Sequence, residues 1–598
     1  MRDRLRAARL LSRYVYRADR WRCLVSSVVT FFTVLIGLVI SVLLKFVTDA
    51  AIHHDGHGMA VAVTLLIGTG AMSLVGYWAG LALRMSLRER ATLYFDTRMA
   101  ELSAGIHHLE HLERPDYLDE MFILQHNHLQ LAEVQGNLVN TVAMLVRLGL
   151  VVALLGSIHP LLLLLPLAGI PSVLASASVA RQRHANEDEI APLRRLVLRL
   201  FQVGANAEAG KELRVYDAGP SLLSSTDDAR EAIHRLADKA DLRAGILGGL
   251  GWMFFGLGFV AAMLLVARQA AAGRASPGDV VLALTLAGAV NAGVVGLASG
   301  ISWLLDSLKT GERLAWLEDL ASGAAGLATP ASPAPLPSAL REGIGFEGVT
   351  FRYPGAPGGD VLAGVDLFLP AGCTVAVVGD NGAGKTTLVK LLCRFYDPSE
   401  GRVTVDGVDL RDFRVEEWRA RLSGSFQDFA RPELVAREAV GVGDLPSLDD
   451  VEAVHAALVR ARAEDVPVAL PDGLDTLLGR SFIGGVDPSI GQWQKLALGR
   501  AMMRESPLLL VLDEPTASLD AATEHALFER YARAAAASAA RSGAITVLVS
   551  HRFSTVRMAD LIVVVEGGRI VEVGSHDQLV AAGSCYAELY ELQARAYR

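Results

Sequence analysis

The sequence predicts two unlike halves: an all-α transmembrane domain of six helices, followed by an α/β domain. Three observations carry this reading. Apolar residues make up 52% of the 598 residues and charged residues only 20%, more apolar surface than a water-soluble core requires. The excess lies mostly before residue 306, in apolar runs long enough to cross a bilayer. After residue 340, short apolar strands alternate with helical stretches and glycine-rich turns, the pattern of an α/β sheet.

The spans follow in order. Residues 24–44 (LVSSVVTFFTVLIGLVISVLL) carry no charge, and at about 1.5 Å per residue they cover roughly 30 Å, the hydrocarbon thickness. Further charge-free runs are Met59–Leu83, Ala244–Ala267 and Val280–Leu305. Between Asn137 and Ala180 the apolar run is about two spans long. Ser157-Ile158-His159-Pro160 divides it, because proline ends or kinks a helix. The first 22 residues hold eight arginines, while residues 48–58 hold no Lys or Arg. Segments 84–136 and 181–243 are long and basic, so both termini and two long extensions belong on the cytosolic side. The arginine-rich start is not a signal peptide, since the apolar stretch after it is too long and lacks a cleavage signature. Arg147 falls near the middle of the third span, where a charge is costly unless it meets water or a partner. A solvated inner cavity is the simplest setting for it, and contact with a bound solute the next. His53, His54, Asp55 and His57 share the first outer loop. A metal could be held there, but a short solvated loop is the commoner use of such residues.

Composition also excludes. A net charge of -9 is small for this length and offers no basic face for nucleic acid. Cys23, Cys373, Cys393 and Cys585 show neither CxxC nor Cys/His spacing, so no disulfide framework or zinc site is expected. Ser322–Ser338 (SGAAGLATPASPAPLPS) buries little and cannot hold a helix through its prolines. It marks a linker, 322–340, between a membrane domain at 1–321 and an α/β domain at 341–598.

The strongest motif is Gly379-Asp380-Asn381-Gly382-Ala383-Gly384-Lys385-Thr386-Thr387. It fits GxxxxGK[ST], follows the apolar strand Thr374–Val378 and opens a helix, the context a P-loop NTPase domain requires. Glycines let backbone N–H groups wrap the phosphates of ATP, and the helix N-terminus adds a favourable dipole. Lys385 is expected to reach the β- and γ-phosphates, and the Thr386 hydroxyl to ligate Mg²⁺. Farther on, Leu508–Leu512 is an apolar strand ending in Asp513-Glu514. Asp513 is expected in the Mg²⁺ shell and Glu514 beside it, polarising the attacking water.

From Gly345 to about Tyr590 the chain resembles the nucleotide-binding domain of ABC transporters, and the six preceding spans resemble the exporter-type membrane domain. The resemblance implies further roles. Tyr353, in Phe351-Arg352-Tyr353-Pro354, matches the aromatic residue that stacks on adenine. Gln427 matches the glutamine that senses Mg²⁺ and γ-phosphate and faces the membrane domain. Asp520, in Ser518-Leu519-Asp520, matches the loop crossing the dimer interface, and His551 the switch histidine at the γ-phosphate. The signature LSGGQ stands here as Pro488-Ser489-Ile490-Gly491-Gln492. Ser489, Gly491 and Gln492 are kept, while Ile490 replaces a glycine, and its Cβ branch is expected to hinder close approach to phosphate. Residues 207–216 resemble the second coupling helix, and His111–Met121 stands in the place of the first.

The resemblance implies an ATP hydrolase coupled to transport, with ATP and Mg²⁺ as cofactors and a lipid bilayer as surroundings. It also implies a second half-transporter as partner, a homodimer being favoured over a heterodimer. Export of a hydrophobic, amphipathic or peptide-like solute leads, by fold analogy. An importer on the same fold and an ATP-gated regulatory protein are the alternatives. The Ala-, Gly- and Arg-rich composition suits a bacterial cytoplasmic membrane.

Overall fold

The computed structural model describes residues 2–324, 330, 332–355, 358–514, 539–550 and 552–596. Contacts divide the chain into two units. The first comprises Met1–Ser103 and Asp119–Asp319; the second comprises Leu320–Arg598 together with the short insert Ala104–Leu118.

The first unit is helical. Helix α1 (Arg2–Ala18) stops at Asp19, whose extended backbone and side chain cap the next helix by accepting from Arg22 N–H at 3.0 Å. The long helices that follow are α2 (Arg20–Ile52), α3 (Gly56–Ala104), α4 (His128–Ile158), α5 (Ile170–Ala205), α6 (Gly219–Ala271) and α7 (Pro277–Asp319). Among the described residues, five helices are long and apolar enough to cross a membrane: α2, α3, α4, α6 and the one beginning at Pro277. With 49 and 53 residues, α3 and α6 reach about 70–80 Å, more than twice the hydrocarbon thickness. Helices of this length leave room for extensions beyond a bilayer.

The fourth apolar run differs from the others. It is assembled from pieces: a 3₁₀ turn at Pro160–Leu164, a short helix at Leu165–Ala168, then the start of α5. Pro160, Pro166 and Pro171 each remove a backbone donor, which is why one continuous helix does not form. The apolar stretch Pro160–Ala175 is shorter than a span among the described residues. A core of Val151, Leu155, Leu162, Leu165, Phe255, Val266, Leu286 and Val290 binds these pieces to their neighbours.

The second unit holds two sheets. Strands β1 (Gly343–Phe351), β2 (Leu362–Pro370), β4 (Glu400–Val405) and β5 (Val408–Asp409) form an antiparallel sheet in the order β2-β1-β4-β5. The other strands are β3 (Thr374–Val378), β6 (Leu422–Ser425), β7 (Leu509–Asp513), β8 (Ile545–Val549), β9 (Leu561–Glu566) and β10 (Arg569–Gly574). Their order is β10-β9-β3-β8-β7-β6, parallel throughout except for β10. Strands β7 and β8 are buried at every position, as expected for a parallel sheet covered on both faces. One core surrounds Trp418, Phe413 and the two sheets; a second, around Trp493, Leu458 and Met502, belongs to a helical lobe carrying α9 (Ile490–Ala501). α8 (Lys385–Leu392) lies between β3 and β4 in sequence.

The insert Ala104–Leu118 is part of this second unit through specific bonds. Leu109 N–H donates to the Phe395 carbonyl at 3.3 Å, and the Arg419 guanidinium donates to the His107 carbonyl at 2.6 Å. Glu113 accepts from Lys390 Nζ at 2.8 Å and from the Tyr396 hydroxyl.

Candidate functional site

Sheet order gathers the motifs. In the order β3-β8-β7-β6, the parallel strands end side by side, and ligands of such sheets bind outside their carboxyl ends. The loop Gly379–Gly384 leaves the end of β3, Asp513 and Glu514 end β7, and Gln427 follows β6. Residues up to 135 positions apart in the chain thus meet at one edge.

The loop after β3 needs glycine for two reasons. Gly379 has φ 151 and Gly384 φ 107, both on the side of the map that L side chains rarely adopt. A Cβ on Gly379 would lie 2.1 Å from the Val565 carbonyl oxygen, inside any contact distance. Asp380, Asn381 and Gly382 are exposed, and Ala383 is buried beneath them. Lys385, at the first turn of α8, donates to the carbonyls of Gly379 and Asp380, each at 2.8 Å. The lysine therefore braces its own loop. Burial pushes its ammonium below the ordinary range, although Glu514, Asp513 and Asp380 pull the other way. Thr386 is exposed at the same turn, and Thr387 is buried behind it.

Asp513 is 3% exposed, and its Oδ1 has no hydrogen-bond partner among the described residues. Burial first, then the Glu514 and Asp428 carboxylates, push its acid up to about 6, with Lys385 opposing. An orphaned, buried carboxylate oxygen facing a phosphate loop is what a hard cation would satisfy, so the residues present fit Mg²⁺. Glu514 stands just past the strand end with φ 46, an unusual conformation for a residue with a side chain. Its N–H is fixed to the Val549 carbonyl at 3.0 Å, and its Oε2 accepts from Gln427 Nε2 at 3.1 Å. That bond occupies the amide nitrogen of Gln427 and leaves the amide oxygen as its candidate metal ligand.

Tyr353 is half-buried near α8. Its hydroxyl is 3.1 Å from Thr387 Oγ1, and its ring meets Phe351 and Tyr396 edge-on at 5.0 and 5.4 Å. Lys390 Nζ sits over the ring at 5.0 Å. Sequence reasoning missed Lys390, which joins Tyr353 to Glu113 of the insert; no motif marks a lysine one turn beyond the phosphate loop.

The signature stretch opens α9. Ser489 Oγ accepts from Gln492 N–H at 3.3 Å, and Gln492 Oε1 accepts from Ser489 N–H at 2.9 Å, a reciprocal capping box. Ile490 is the first helical residue, 59% exposed and outside the left-handed region, so the backbone there does not require glycine. A Cβ on Gly491 would meet nothing within 4 Å. His551 and the Ser518-Leu519-Asp520 stretch lie outside the described residues.

Long apolar helices joined to a domain with this phosphate loop, carboxylate pair and capped helix have the fold seen in exporter-type ABC half-transporters. Residues 362–517 match the family model described as ABC transporter. The chain is 40% identical over 260 residues to an ATP-dependent lipid A-core flippase of Chromohalobacter salexigens, covering 43% of this chain and 42% of that protein. It is 39% identical over 258 residues to a mitochondrial potassium channel ATP-binding subunit of Xenopus tropicalis, covering 42% of this chain and 35% of that one. The matched region thus spans about two fifths or less of these relatives' own length. The fold is similar throughout to a bacterial Atm1-family ABC exporter with ATP bound, with a TM-score of 0.82 at 23% identity over 96% of this chain and 99% of that one.

Proposed function

We propose that the chain is one half of an ATP-driven exporter in a bacterial cytoplasmic membrane, both termini cytosolic, working as a dimer and most simply a homodimer. Residues 1–321 span the bilayer, 322–340 link, and 341–598 form the cassette. The observation that carries the reading is the convergence of Lys385, Asp513, Glu514 and Gln427 at one sheet edge. Export is supported by the fold. Relatives named for a lipid A-core flippase and a potassium channel subunit point to ATP-linked membrane work rather than to one substrate.

Each residue has a task. The loop Gly379–Gly384 offers N–H groups to the phosphates, and Lys385 exchanges its loop carbonyls for phosphate oxygens. Tyr353 lies beside α8, where it can take the adenine. Thr386, Asp513 and Gln427 would hold Mg²⁺, which supplies charge neutralisation on the phosphates. Glu514 is the base toward water, releasing Gln427 as it does so. Ser489, Gly491 and Gln492, at the start of α9, serve the nucleotide of the partner subunit, the role of Asp520 is at the dimer interface, and that of His551 is at the γ-phosphate. The test is ATP hydrolysis by the chain alone in lipid nanodiscs beside Glu514→Gln. A loss of about 100-fold or more is expected, the usual scale for a general base. Equal turnover by both proteins would overturn the assignment, and none from a folded, ATP-binding wild type would overturn the homodimer.

A further inference from the structure

The first unit contains an open cleft of about 610 Å³ lined by α2, α3 and α4. Two arginines line it, Arg84 on α3 and Arg147 on α4, and no Asp or Glu does. Neither guanidinium is in an ion pair among the described residues; Arg84 reaches only its own helix, Nε to the Gly80 carbonyl at 3.4 Å. Arg147 lies against Gly37 of α2, where a Cβ would come within 3.3 Å of its terminal nitrogen. The absence of a side chain at Gly37 therefore makes room for the charge. Thr30, on the same face of α2, is 6% exposed, and its Oγ1 has no hydrogen-bond partner among the described residues. Val34, Ile40 and Leu74 supply apolar wall.

The polar groups are spread along the cavity. On α3 the lining runs from Gly70 to Arg84, about 21 Å of helix. A Cβ on Gly136 of α4 would lie 3.7 Å from the Arg84 stem, and Gly136 is eleven positions and about 16 Å of helix from Arg147. Positive charge inside a span is costly without a partner. Here the lining supplies two such charges, a buried hydroxyl unpartnered among the described residues, apolar walls and no acidic side chain.

We propose that this cavity binds an amphipathic anion, an elongated molecule with a phosphate or carboxylate head and an apolar body, and that this is the class of solute the exporter moves. The transport clause rests on the exporter reading; the binding clause rests on the cavity. The arginines hold the acid group, Thr30 donates to it or to a neighbouring oxygen, and the apolar walls take the tail. The selectivity lies in charge: a zwitterion brings its own cation toward guanidinium groups that repel it.

The experiment uses the full chain in phosphatidylcholine nanodiscs. Fluorescent lysophosphatidic acid and lysophosphatidylcholine of equal chain length are titrated by anisotropy, with inorganic phosphate as competitor. The anionic lipid is expected to bind at least tenfold tighter, and Arg147→Gln and Arg84→Gln each to weaken it tenfold or more. Arg147→Lys should keep most of the affinity, and Gly37→Leu should lose it through bulk alone. Phosphate should compete only at concentrations a hundredfold or more higher. Equal affinity for the two lipids, or Arg147→Gln binding like wild type while Arg147→Lys also does, overturns the proposal. Phosphate competing as well as the lipid overturns the amphiphile and leaves a free-anion site. Selective binding that leaves ATP hydrolysis and lipid movement unchanged upholds the binding clause and overturns the exporter reading.

Discussion

Asp513→Asn is expected to stabilise the protein it disables. This carboxyl is buried beside Glu514, with one oxygen unpartnered among the described residues. Its acid is pushed from the ordinary 3.8 up to about 6. The folded state therefore holds a proton that the unfolded chain has already released. Stability then falls as pH rises between 3.8 and about 6 and stays lowered above that window. At about 1.4 kcal/mol per pH unit, the accumulated cost at pH 7.5 is about 3 kcal/mol. Asparagine removes the charge and keeps the shape, so it recovers much of that amount. For a domain of this size the gain corresponds to roughly 6–12 °C in the midpoint of cassette unfolding. Scanning calorimetry of both proteins without nucleotide or Mg²⁺, at pH values from 5 to 8, reads it. The gap should be largest at pH 7–8 and shrink toward pH 5. Added Mg²⁺-ATP should raise the wild-type midpoint and not the variant's. A variant as stable as wild type at pH 7.5, or a gap independent of pH, would refute the reasoning that the site keeps an uncompensated carboxylate for a cation.

Two further outcomes are expected. Glu113→Gln should loosen the insert from the cassette: burial alone would raise the Glu113 carboxyl, but bonds from Lys390 and Tyr396 hold it below 4.5. Because Glu113 is nearly half exposed, the pair is worth about 1 kcal/mol after screening. Hydrogen exchange at residues 104–118 should rise about fivefold at neutral pH. This contribution is complete above pH 4.5 and lost as pH falls through the lowered value, so wild type and variant should converge in acid. Unchanged exchange at pH 7 would deny the contact a role. Asn291, 1% exposed in α7 with both amide atoms unpartnered among the described residues, makes the opposite case. Asn291→Leu should raise the thermal midpoint in nanodiscs by a few degrees, corresponding to about 1–2 kcal/mol. A fall would mean the amide has a partner in the assembled protein.

What was legible in the sequence is what chemistry confines to a few positions. A phosphate loop needs glycines at fixed spacing, because φ 151 at Gly379 and φ 107 at Gly384 tolerate little else. A buried strand ending in Asp513-Glu514 reads almost as directly. Ile490 shows how a motif can leave local structure unread. Compared with a family pattern it looks like a lost glycine, yet it occupies the first turn of α9, where its backbone is ordinary. The spacing Ser489-x-x-Gln492 already spelled a capping box. The broken fourth run was half legible: Pro160 marked the break, but Pro166 and Pro171 were needed to keep the next stretch in pieces. Lys390 and Glu113 were invisible because they lie 277 positions apart and carry no motif. The arginine cavity was only glimpsed at Arg147, since its walls are single faces of three helices.

The insert Ala104–Leu118 also sets an order of events at the ribosome. Glu113 leaves the tunnel 277 residues ahead of Lys390. At about 5–20 residues per second its docking surface is synthesised roughly 15–55 s later. Throughout that interval the insert is flanked by helices on both sides, without the residues 390–419 it will bond. The cassette is therefore made after the insert but is not independent of it. Its surface around Phe395, Tyr396 and Arg419 closes only when it captures a segment made much earlier. A fault that keeps this early segment from its place would thus surface as an incomplete cassette, far downstream in the sequence.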